Sequence, residues 1–168
     1  KREQYREMLD TLRKDELRAK EKLLELRKRL LDTKRLIQKS NLPGLPSYHL
    51  TNLEVADEKI AEVDDKLNHK PLEMAIVNRT LDEALHEVED SCEAAKKMIE
   101  DAELAERLIQ YGNRYRSSYP EVRKELADAE NAFRQYHYEE ALERAAKAIE
   151  RVEPHILREF DVSLHKEA

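Results

Sequence analysis

Apolar residues recur at alternating intervals of four and three along the first part of the chain, as they do on one face of a long α-helix. The series comprises Tyr5, Leu9, Leu12, Glu16, Ala19, Leu23, Leu26, Leu30, Thr33 and Ile37. Because only two of its members are polar, the pattern predicts a single helix over residues 2–39. The stiff sequence Asn41-Leu-Pro-Gly-Leu-Pro46 then ends it.

The same spacing predicts a second and a third helix. A capping box formed by Thr51 and Glu54 marks the start of the second helix, which ends near residue 68. Its apolar face comprises Leu53, Ala56, Ile60, Val63 and Leu67. The third helix follows Pro71 and is expected to extend to about residue 116, with the longest seam in the chain. That seam comprises Met74, Val77, Leu81, Ala84, Val88, Ser91, Ala95, Met98, Ala102, Ala105, Ile109 and Gly112.

Two shorter helices complete the pattern. Ser118 and Glu121 form a second predicted capping box around Pro120, and the fourth helix continues to about Gln135. Its apolar face comprises Val122, Leu126, Ala129 and Phe133. After a predicted break at Tyr136-His137, a fifth helix ends before Pro154. It presents Tyr138, Ala141, Leu142, Ala145, Ile149 and Val152.

The lengths of these helices constrain their arrangement. The second helix covers only half of the third, so the far half of the third needs another cover. The fourth and fifth helices have the length to supply it. We therefore predict an all-α fold of two antiparallel three-helix bundles in series, which share the third helix as one continuous element. The predicted domains are residues 1–94 and residues 95–168.

Residues 1–18 have no predicted partner within this chain. The chain starts at Lys1 inside an amphipathic helix, so we expect a piece of a longer protein whose missing upstream repeat packs against residues 1–18. Each leucine left in water forgoes about 1.5–3 kcal/mol. We therefore expect this seam to pair with a second copy or to fray; its apolar residues are Tyr5, Met8, Leu9 and Leu12.

Composition excludes several classes of protein. The chain has 168 residues with 31 basic and 37 acidic side chains, but only two glycines. Two glycines are too few for the turns of a multi-stranded sheet or for a Gly-rich phosphate loop, which excludes Rossmann and P-loop enzymes. No run of 18 apolar residues is present that could span a membrane.

The charge balance argues against a nucleic-acid partner, because the net charge is −6. Residues 1–39 are an exception, with 14 basic and 8 acidic side chains. Because the two signs are interleaved along the sequence, a solvated helix flank is the favoured interpretation of this segment.

Candidate catalytic and metal-binding residues are few. Glu83 and His86 form one Glu-x-x-His unit, but a di-iron bundle needs two such units and two further glutamates. Cys92 has no partner for an internal disulfide and is expected to be a small buried filler. No nucleophile and base can be paired, and most of the remaining histidines fall at predicted helix ends. We predict no catalytic residues, no metal and no cofactor.

Polar and aromatic residues are concentrated near residue 112. Six of the nine aromatic residues lie within residues 111–138: Tyr111, Tyr115, Tyr119, Phe133, Tyr136 and Tyr138. On a helix, Gln110, Asn113 and Arg114 would be neighbours at i, i+3 and i+4. Gly112 on the buried side would let another helix approach closely.

This composition supports two interpretations. Tyrosine and arginine with fixed amide donors are typical of a protein-binding hot spot, whose residues would be Gln110, Tyr111, Asn113, Arg114, Tyr115 and Arg116. The same side chains would equally suit a bundle end that is closed by tyrosines, with the polar groups tying down the turn at 116–119. The physical argument favours neither.

Three segments together resemble the C-terminal part of the EzrA family, the septation ring formation regulators of low-GC Gram-positive bacteria. They are Asn41-Leu-Pro-Gly-Leu-Pro46, Ala105-Glu-Arg-Leu-Ile-Gln-Tyr-Gly-Asn-Arg-Tyr-Arg116, and Tyr138-Glu-Glu-Ala-Leu142 through Val152-Glu-Pro154. The resemblance implies a rod of spectrin-like repeats on the cytoplasmic side of the cell membrane, held by an N-terminal anchor that this chain lacks.

The resemblance also implies a non-enzymatic role in cell division. The family restrains assembly of the tubulin-like FtsZ ring and links the ring to the membrane and the divisome. A Gln-Asn-Arg patch is associated with recruitment to mid-cell, which carries over to Gln110, Asn113 and Arg114. We expect Asn113→Ala with Arg114→Ala to abolish recruitment without changing helicity or melting.

Two other classes remain open. Residues 133–154 resemble the second half of a tetratricopeptide repeat, which would make the chain a peptide-binding helical module. Pro154 falls one residue late for that motif and no second copy is present, whereas such arrays need about three repeats. A continuous helix through Tyr136-His137 would disfavour this alternative. The third class, a di-iron bundle enzyme, would require iron bound through Glu83 and His86.

Overall fold

The computed structural model describes residues 1–160, and residues 161–168 of the predicted second domain lie outside the described part. Within residues 1–160 every regular element is helical, which confirms the predicted all-α fold. The helices are α1 (Arg2–Lys39), α2 (Ser47–Asn68), α3 (Met74–Gly112), α4 (Pro120–Arg134), α5 (Tyr138–Val152) and α6 (Ile156–Glu159). A 3-10 turn at Asn113–Tyr115 follows α3.

The chain divides into two compact units. Unit 1 comprises Lys1–Lys39 and Ser47–Ala95, and unit 2 comprises Ser40–Pro46 and Lys96–Ala168, of which residues up to 160 are described. Helix α3 therefore contributes residues to each unit. The loop between α1 and α2 belongs to unit 2, although both of its neighbouring helices belong to unit 1. The tandem spectrin-like arrangement stays a prediction.

Unit 1 has one core, to which α1, α2 and the first part of α3 contribute. Cross-helix contacts give the helix directions. Arg27 contacts Asp64 at 3.4 Å and Lys34 contacts Asp57 at 2.6 Å, so α2 runs antiparallel to α1. Lys59 contacts Glu83 at 3.6 Å, and the Ser91 hydroxyl lies 3.2 Å from the Asn52 carbonyl oxygen. Helix α3 therefore runs antiparallel to α2.

The core of unit 2 is formed by the end of α3 together with α4 and α5. It consists largely of alanines with five larger side chains, Leu108, Val122, Leu126, Leu142 and Ile149. Arg151 contacts Glu121 at 3.2 Å, and Arg144 contacts Asp128 at 3.6 Å, so α4 and α5 are antiparallel. Small residues allow these helices to pack closely along their full length.

The buried face of α3 departs from the predicted seam near its end. Leu108 is fully buried, whereas Ile109, the predicted seam residue, is only half-buried. The end of α3 contributes Ala105 and Leu108 to the core of unit 2, whose other residues lie on α4 and α5. Packing against these helices, and not the seam, decides which face of α3 is buried there.

Both predicted capping boxes are wrong. Helix α2 begins at Ser47, so Thr51 lies one turn inside it. Pro46 stands just before the first helical residue, where its missing N–H breaks no helical hydrogen bond. Helix α4 begins at Pro120 with Tyr119 as its N-cap residue and without a side-chain capping bond, so Ser118 does not cap it.

The predicted break between α4 and α5 is confirmed, and its geometry is a Schellman motif. The His137 N–H donates to the Ala132 carbonyl at 2.9 Å, and the Tyr136 N–H donates to the Phe133 carbonyl at 3.1 Å. Tyr136 adopts a left-handed conformation with φ of 66°, at the position where glycine is usual.

The structure also places the other residues that the sequence singled out. Tyr5, Met8, Leu9 and Leu12 are exposed, as expected for residues without a partner in this chain. Cys92 is buried in the core of unit 1, which confirms its expected role as a filler. Glu83 pairs with Lys59 and His86 is exposed.

Candidate functional site

The end of α3 is held against α4 by a close helix approach at Gly112. A Cβ atom at this position would lie 2.8 Å from Leu126 Cδ1, which is closer than packed atoms allow. The expected role of Gly112 is therefore confirmed, and the neighbour is Leu126 of α4. This contact fixes where α3 ends relative to α4 within unit 2.

The residues after Gly112 form a tight turn. Helix α3 ends at Gly112 and not near residue 116, because the turn closes with i+3 hydrogen bonds: the Arg116 N–H donates to the Asn113 carbonyl at 3.3 Å. Arg116 Nε also donates to Asn113 Oδ1 at 2.8 Å. A further guanidinium nitrogen of Arg116 pairs with the Glu130 carboxylate on α4. Arg116 is therefore a structural tie between the turn and α4.

Arg114 is held over the ring of Tyr111. Its guanidinium carbon lies 3.9 Å from the ring centroid, and its Nε donates to the Tyr111 carbonyl oxygen at 3.1 Å. The cation–π contact and this hydrogen bond position the exposed guanidinium group without enclosing it. One of the last carbonyl groups of α3, which has no helical partner, is satisfied in the same way.

The tyrosines form a row that closes this end of unit 2. The ring centroids of Tyr111 and Tyr115 are 6.3 Å apart, and those of Tyr115 and Tyr119 are 6.1 Å apart. Phe160, after α6, packs edge-on against Tyr111 at 5.5 Å. The Tyr111 hydroxyl donates to Glu153 Oε2 at 2.5 Å, and this bond to a carboxylate raises the pKa of Tyr111.

Gln110 lies on a different side of α3, at a surface cleft of about 190 Å³. Ile109 and Phe133 form the apolar part of the cleft, and the remaining lining residues are Glu106, Gln110, Glu130 and Arg134. An enclosed cavity of about 150 Å³ holds a benzene molecule, so the cleft has room for one apolar side chain.

The six predicted site residues therefore do not form a single helical face. Because α3 ends at Gly112 and a 3-10 turn begins at Asn113, Gln110, Asn113 and Arg114 do not lie in one α-helix, as their i, i+3, i+4 spacing had assumed. These three side chains are exposed, whereas Tyr111, Tyr115 and Arg116 are half-buried. We call the six residues together the α3-end surface.

Sequence reasoning missed the residues that hold the α3-end surface in place. Glu130 binds Arg116, Glu153 binds Tyr111, and Phe160 covers the Tyr111 ring. Each partner lies 14 or more residues away along the chain, and no periodicity marks it. The four-residue helix α6, which brings Phe160 to Tyr111, was not predicted either.

Two other kinds of site are absent from residues 1–160. No group of three or more histidine, cysteine, aspartate or glutamate residues in this part of the chain could hold a metal ion. None of its helices is both long and apolar enough to cross a membrane.

The fold and the α3-end surface define a class: helical-bundle proteins that present a polar and aromatic surface at the end of a long helix. The family model described as "Septation ring formation regulator, EzrA" matches residues 1–163. The chain belongs to this family of septation ring formation regulators.

Curated relatives carry the same description. The protein from Geobacillus kaustophilus (strain HTA426) is 53% identical over 136 residues, which cover 81% of this chain and 24% of the relative. The protein from Bacillus pumilus (strain SAFR-032) is 38% identical over 159 residues, which cover 95% of this chain and 28% of the relative. The chain thus spans about a quarter of the length of the relatives it matches. No solved structure matches it.

Proposed function

We propose that this chain is part of a non-enzymatic regulator of bacterial cell division, and that its α3-end surface docks a protein of the division machinery. The observation that carries the proposal is the family match over residues 1–163, since the family is described by its role in septation ring formation. Sequence identity of 53% to one of these regulators supports the same role here.

The α3-end surface supports docking because its parts divide into exposed and supporting groups. Gln110, Asn113 and Arg114 are exposed, so a partner can reach them. Arg116 and Tyr111 hold the surface through Glu130 and Glu153. A surface that is rigid before binding loses little conformational entropy on binding, which favours affinity.

The cleft beside Gln110 supplies an apolar anchor point for the same partner. Hot spots of protein interfaces combine a pocket for one large side chain with polar groups at its rim. Ile109 and Phe133 form the pocket wall, and Gln110 lies at the rim. A partner segment with one exposed leucine or aromatic residue would fit this arrangement.

The partner we propose is the division ring, with FtsZ as its tubulin-like subunit, and the proposed effect is to restrain ring assembly. We further propose that the protein acts at the cytoplasmic side of the cell membrane, joined to it by an N-terminal anchor. We also propose a rod of spectrin-like repeats, with division of this chain near residue 95. These proposals follow from the family resemblance.

Recruitment of a fluorescent fusion of the full-length protein to mid-cell tests the α3-end surface. Gln110→Ala with Arg114→Ala should abolish recruitment and leave the chain folded, because both side chains are exposed and Arg114 loses only one surface cation–π contact and one hydrogen bond. The matched control, Gln38→Ala with Arg79→Ala, removes two exposed side chains of the same types from unit 1 and should recruit normally.

Arg116→Ala tests a residue that supports the α3-end surface, separately from the exposed residues proposed to dock the partner. This substitution removes the tie to Glu130, so it should lower stability as well as recruitment. If Gln110→Ala with Arg114→Ala also unfolds the protein, these residues are structural and the docking proposal is wrong. Co-sedimentation of the 168-residue chain with FtsZ polymers tests the proposed partner directly. If the chain is absent from the pellet, FtsZ does not bind through this part of the protein.

The tetratricopeptide-like alternative keeps one observation in its favour. Helix α4 ends at Arg134 and α5 begins at Tyr138, so the continuous helix that would have disfavoured a repeat hairpin is not present there. The family match outweighs this local similarity. Self-association through the exposed residues Tyr5, Met8, Leu9 and Leu12 remains a separate proposal, which light scattering of Leu9→Gln with Leu12→Gln would test.

A further inference from the structure

Helix α1 carries a second apolar stripe, separate from its buried face. Leu17, Leu24 and Leu31 are 58%, 63% and 47% exposed, respectively. The residues two positions after them, Ala19, Leu26 and Thr33, are buried, and Ala19 and Leu26 belong to the core of unit 1. Residues two positions apart are separated by about 200° around the axis of an α-helix, so the leucine stripe faces away from that core. At 1.5 Å per residue it extends over about 21 Å.

Basic side chains border the leucine stripe on both sides. Positions three and four residues from a leucine are its neighbours on the helix surface. One of these eight positions is acidic, Glu21. The other seven are basic: Arg13, Lys14, Lys20, Arg27, Lys28, Lys34 and Arg35. Because the whole chain has a net charge of −6, this border is a local reversal of sign.

Basic and acidic residues that alternate along the sequence lie on different sides of α1. Residues 1–39 contain eight acidic side chains, but only Glu21 borders the leucine stripe. Lys20 pairs with Glu16 at 3.1 Å, and Arg27 and Lys34 reach acidic residues of α2. These pairs are exposed and therefore weak. The flank of α1 is exposed, as expected, and its border along the leucine stripe is predominantly basic.

The border makes a partner helix a poor occupant. Leucines seven residues apart would fill one of the two core positions of a coiled-coil heptad, and the other position must also be apolar. Here that other position holds Lys14, Glu21, Lys28 and Arg35. A second helix, including a second copy of α1, would bury these charges at the seam, which is costly.

A lipid surface does not require a second apolar position in each heptad. Leucine side chains can enter the boundary between headgroups and acyl chains, while lysine and arginine lay their aliphatic stems along the helix and keep their charges at the phosphates. Anionic headgroups match the positive border. We propose that the leucine stripe and its basic border bind an anionic phospholipid surface, with α1 lying parallel to it.

Vesicle co-sedimentation of the 168-residue chain tests this proposal. The chain should sediment with vesicles of equal parts phosphatidylglycerol and phosphatidylcholine, but not with pure phosphatidylcholine vesicles, and high salt should weaken binding. Leu17→Gln with Leu24→Gln and Leu31→Gln should reduce binding about tenfold or more. Lys28→Glu with Arg35→Glu should do the same through charge.

Matched controls exclude general effects of polarity and charge. Leu36→Gln with Leu50→Gln and Leu85→Gln changes three exposed leucines outside the stripe, and Lys96→Glu with Lys124→Glu makes the same change in net charge in unit 2. Both controls should bind like the unaltered chain. Circular dichroism should show the same helicity in all variants.

Several outcomes would overturn the proposal. Failure to bind the anionic vesicles would do so, as would equal losses in the stripe variants and the controls. If the stripe variants change only the oligomeric state measured by light scattering, the stripe contacts a second copy. If the chain binds double-stranded DNA through Lys28 and Arg35 but not vesicles, the border recognises phosphate without a lipid surface. The proposal is independent of the docking role of the α3-end surface.

Discussion

The Tyr138 hydroxyl donates a hydrogen bond to the carbonyl oxygen of Gly44 at 2.6 Å, although the two residues are 94 positions apart. This bond holds the α1–α2 loop within unit 2. The ring of Tyr136 lies against the same loop, since a Cβ atom at Gly44 would be 2.5 Å from Tyr136 Cζ. Two tyrosines on either side of His137 therefore clamp Gly44, which explains why the loop and α5 belong to one compact unit.

Tyr138→Phe should lower the free energy of unfolding by about 1 kcal/mol, because it removes one hydrogen bond and leaves the Gly44 carbonyl without that donor. Guanidinium denaturation followed by circular dichroism measures the change. Tyr5→Phe, at a site that is 69% exposed, is the control and should have no effect. Equal stability of Tyr138→Phe and the unaltered chain would contradict a stabilising clamp.

Substitutions at Tyr136 should reveal the cost of its left-handed conformation. Tyr136→Gly and Tyr136→Ala both remove the ring from Gly44, but only alanine pays the steric cost of a positive φ. We therefore expect the glycine variant to be more stable than the alanine variant by about 1 kcal/mol. Thermal melting of the pair gives the difference, and an alanine variant as stable as the glycine variant would mean that the Schellman motif does not persist in solution.

Gly112→Ala should destabilise unit 2 by about 1–3 kcal/mol, because the added methyl group overlaps Leu126 in a fully packed core. The overlap should outweigh the gain of about 0.4–1 kcal/mol that alanine brings at a compatible backbone conformation, since φ is −67° at Gly112. In a Leu126→Ala background the overlap is absent, so the same substitution should become stabilising. Denaturant titration of the unaltered chain, the two single variants and the double variant gives the effect of Gly112→Ala on the free energy of unfolding in both backgrounds. An effect of the same sign in both would show that the contact with Leu126 is not the cause.

The unfolding free energy should fall below pH 6.5 partly because of His49. Its Nδ1 atom is buried without a hydrogen-bond partner, and burial lowers the pKa of His49 below the usual 6.5. Because the unfolded state then binds the proton more tightly, the contribution of His49 is present above pH 6.5 and is lost as pH falls toward the lower folded-state pKa.

Denaturant titrations at pH 7 and pH 5 test this contribution. His49→Gln should lose less stability between the two pH values than the unaltered chain does. His86→Gln is the matched control, since His86 is exposed, and its loss should equal that of the unaltered chain. If His49→Gln and His86→Gln respond identically, protonation of His49 is not linked to folding.

The apolar pattern by itself determined the presence of helices α1 to α5. The limits of α1 and the break between α4 and α5 follow from local periodicity and proline positions, because helical hydrogen bonds join residues only four apart. The polar and aromatic content of the α3-end surface and the need for a small residue at Gly112 were also readable, and so was the family, from short strings of residues.

Only the tertiary structure decided which distant groups meet. The bonds of Arg116 to Glu130 and of Tyr111 to Glu153 depend on where three helices end relative to one another within unit 2, which no local pattern encodes. The seam already separated Leu26 from Leu24, but the exposure of Leu17, Leu24 and Leu31 depends on which helices pack against α1 within residues 1–160. The local sequence determines which residues form each helix, and packing of the helices determines which face of each helix is buried.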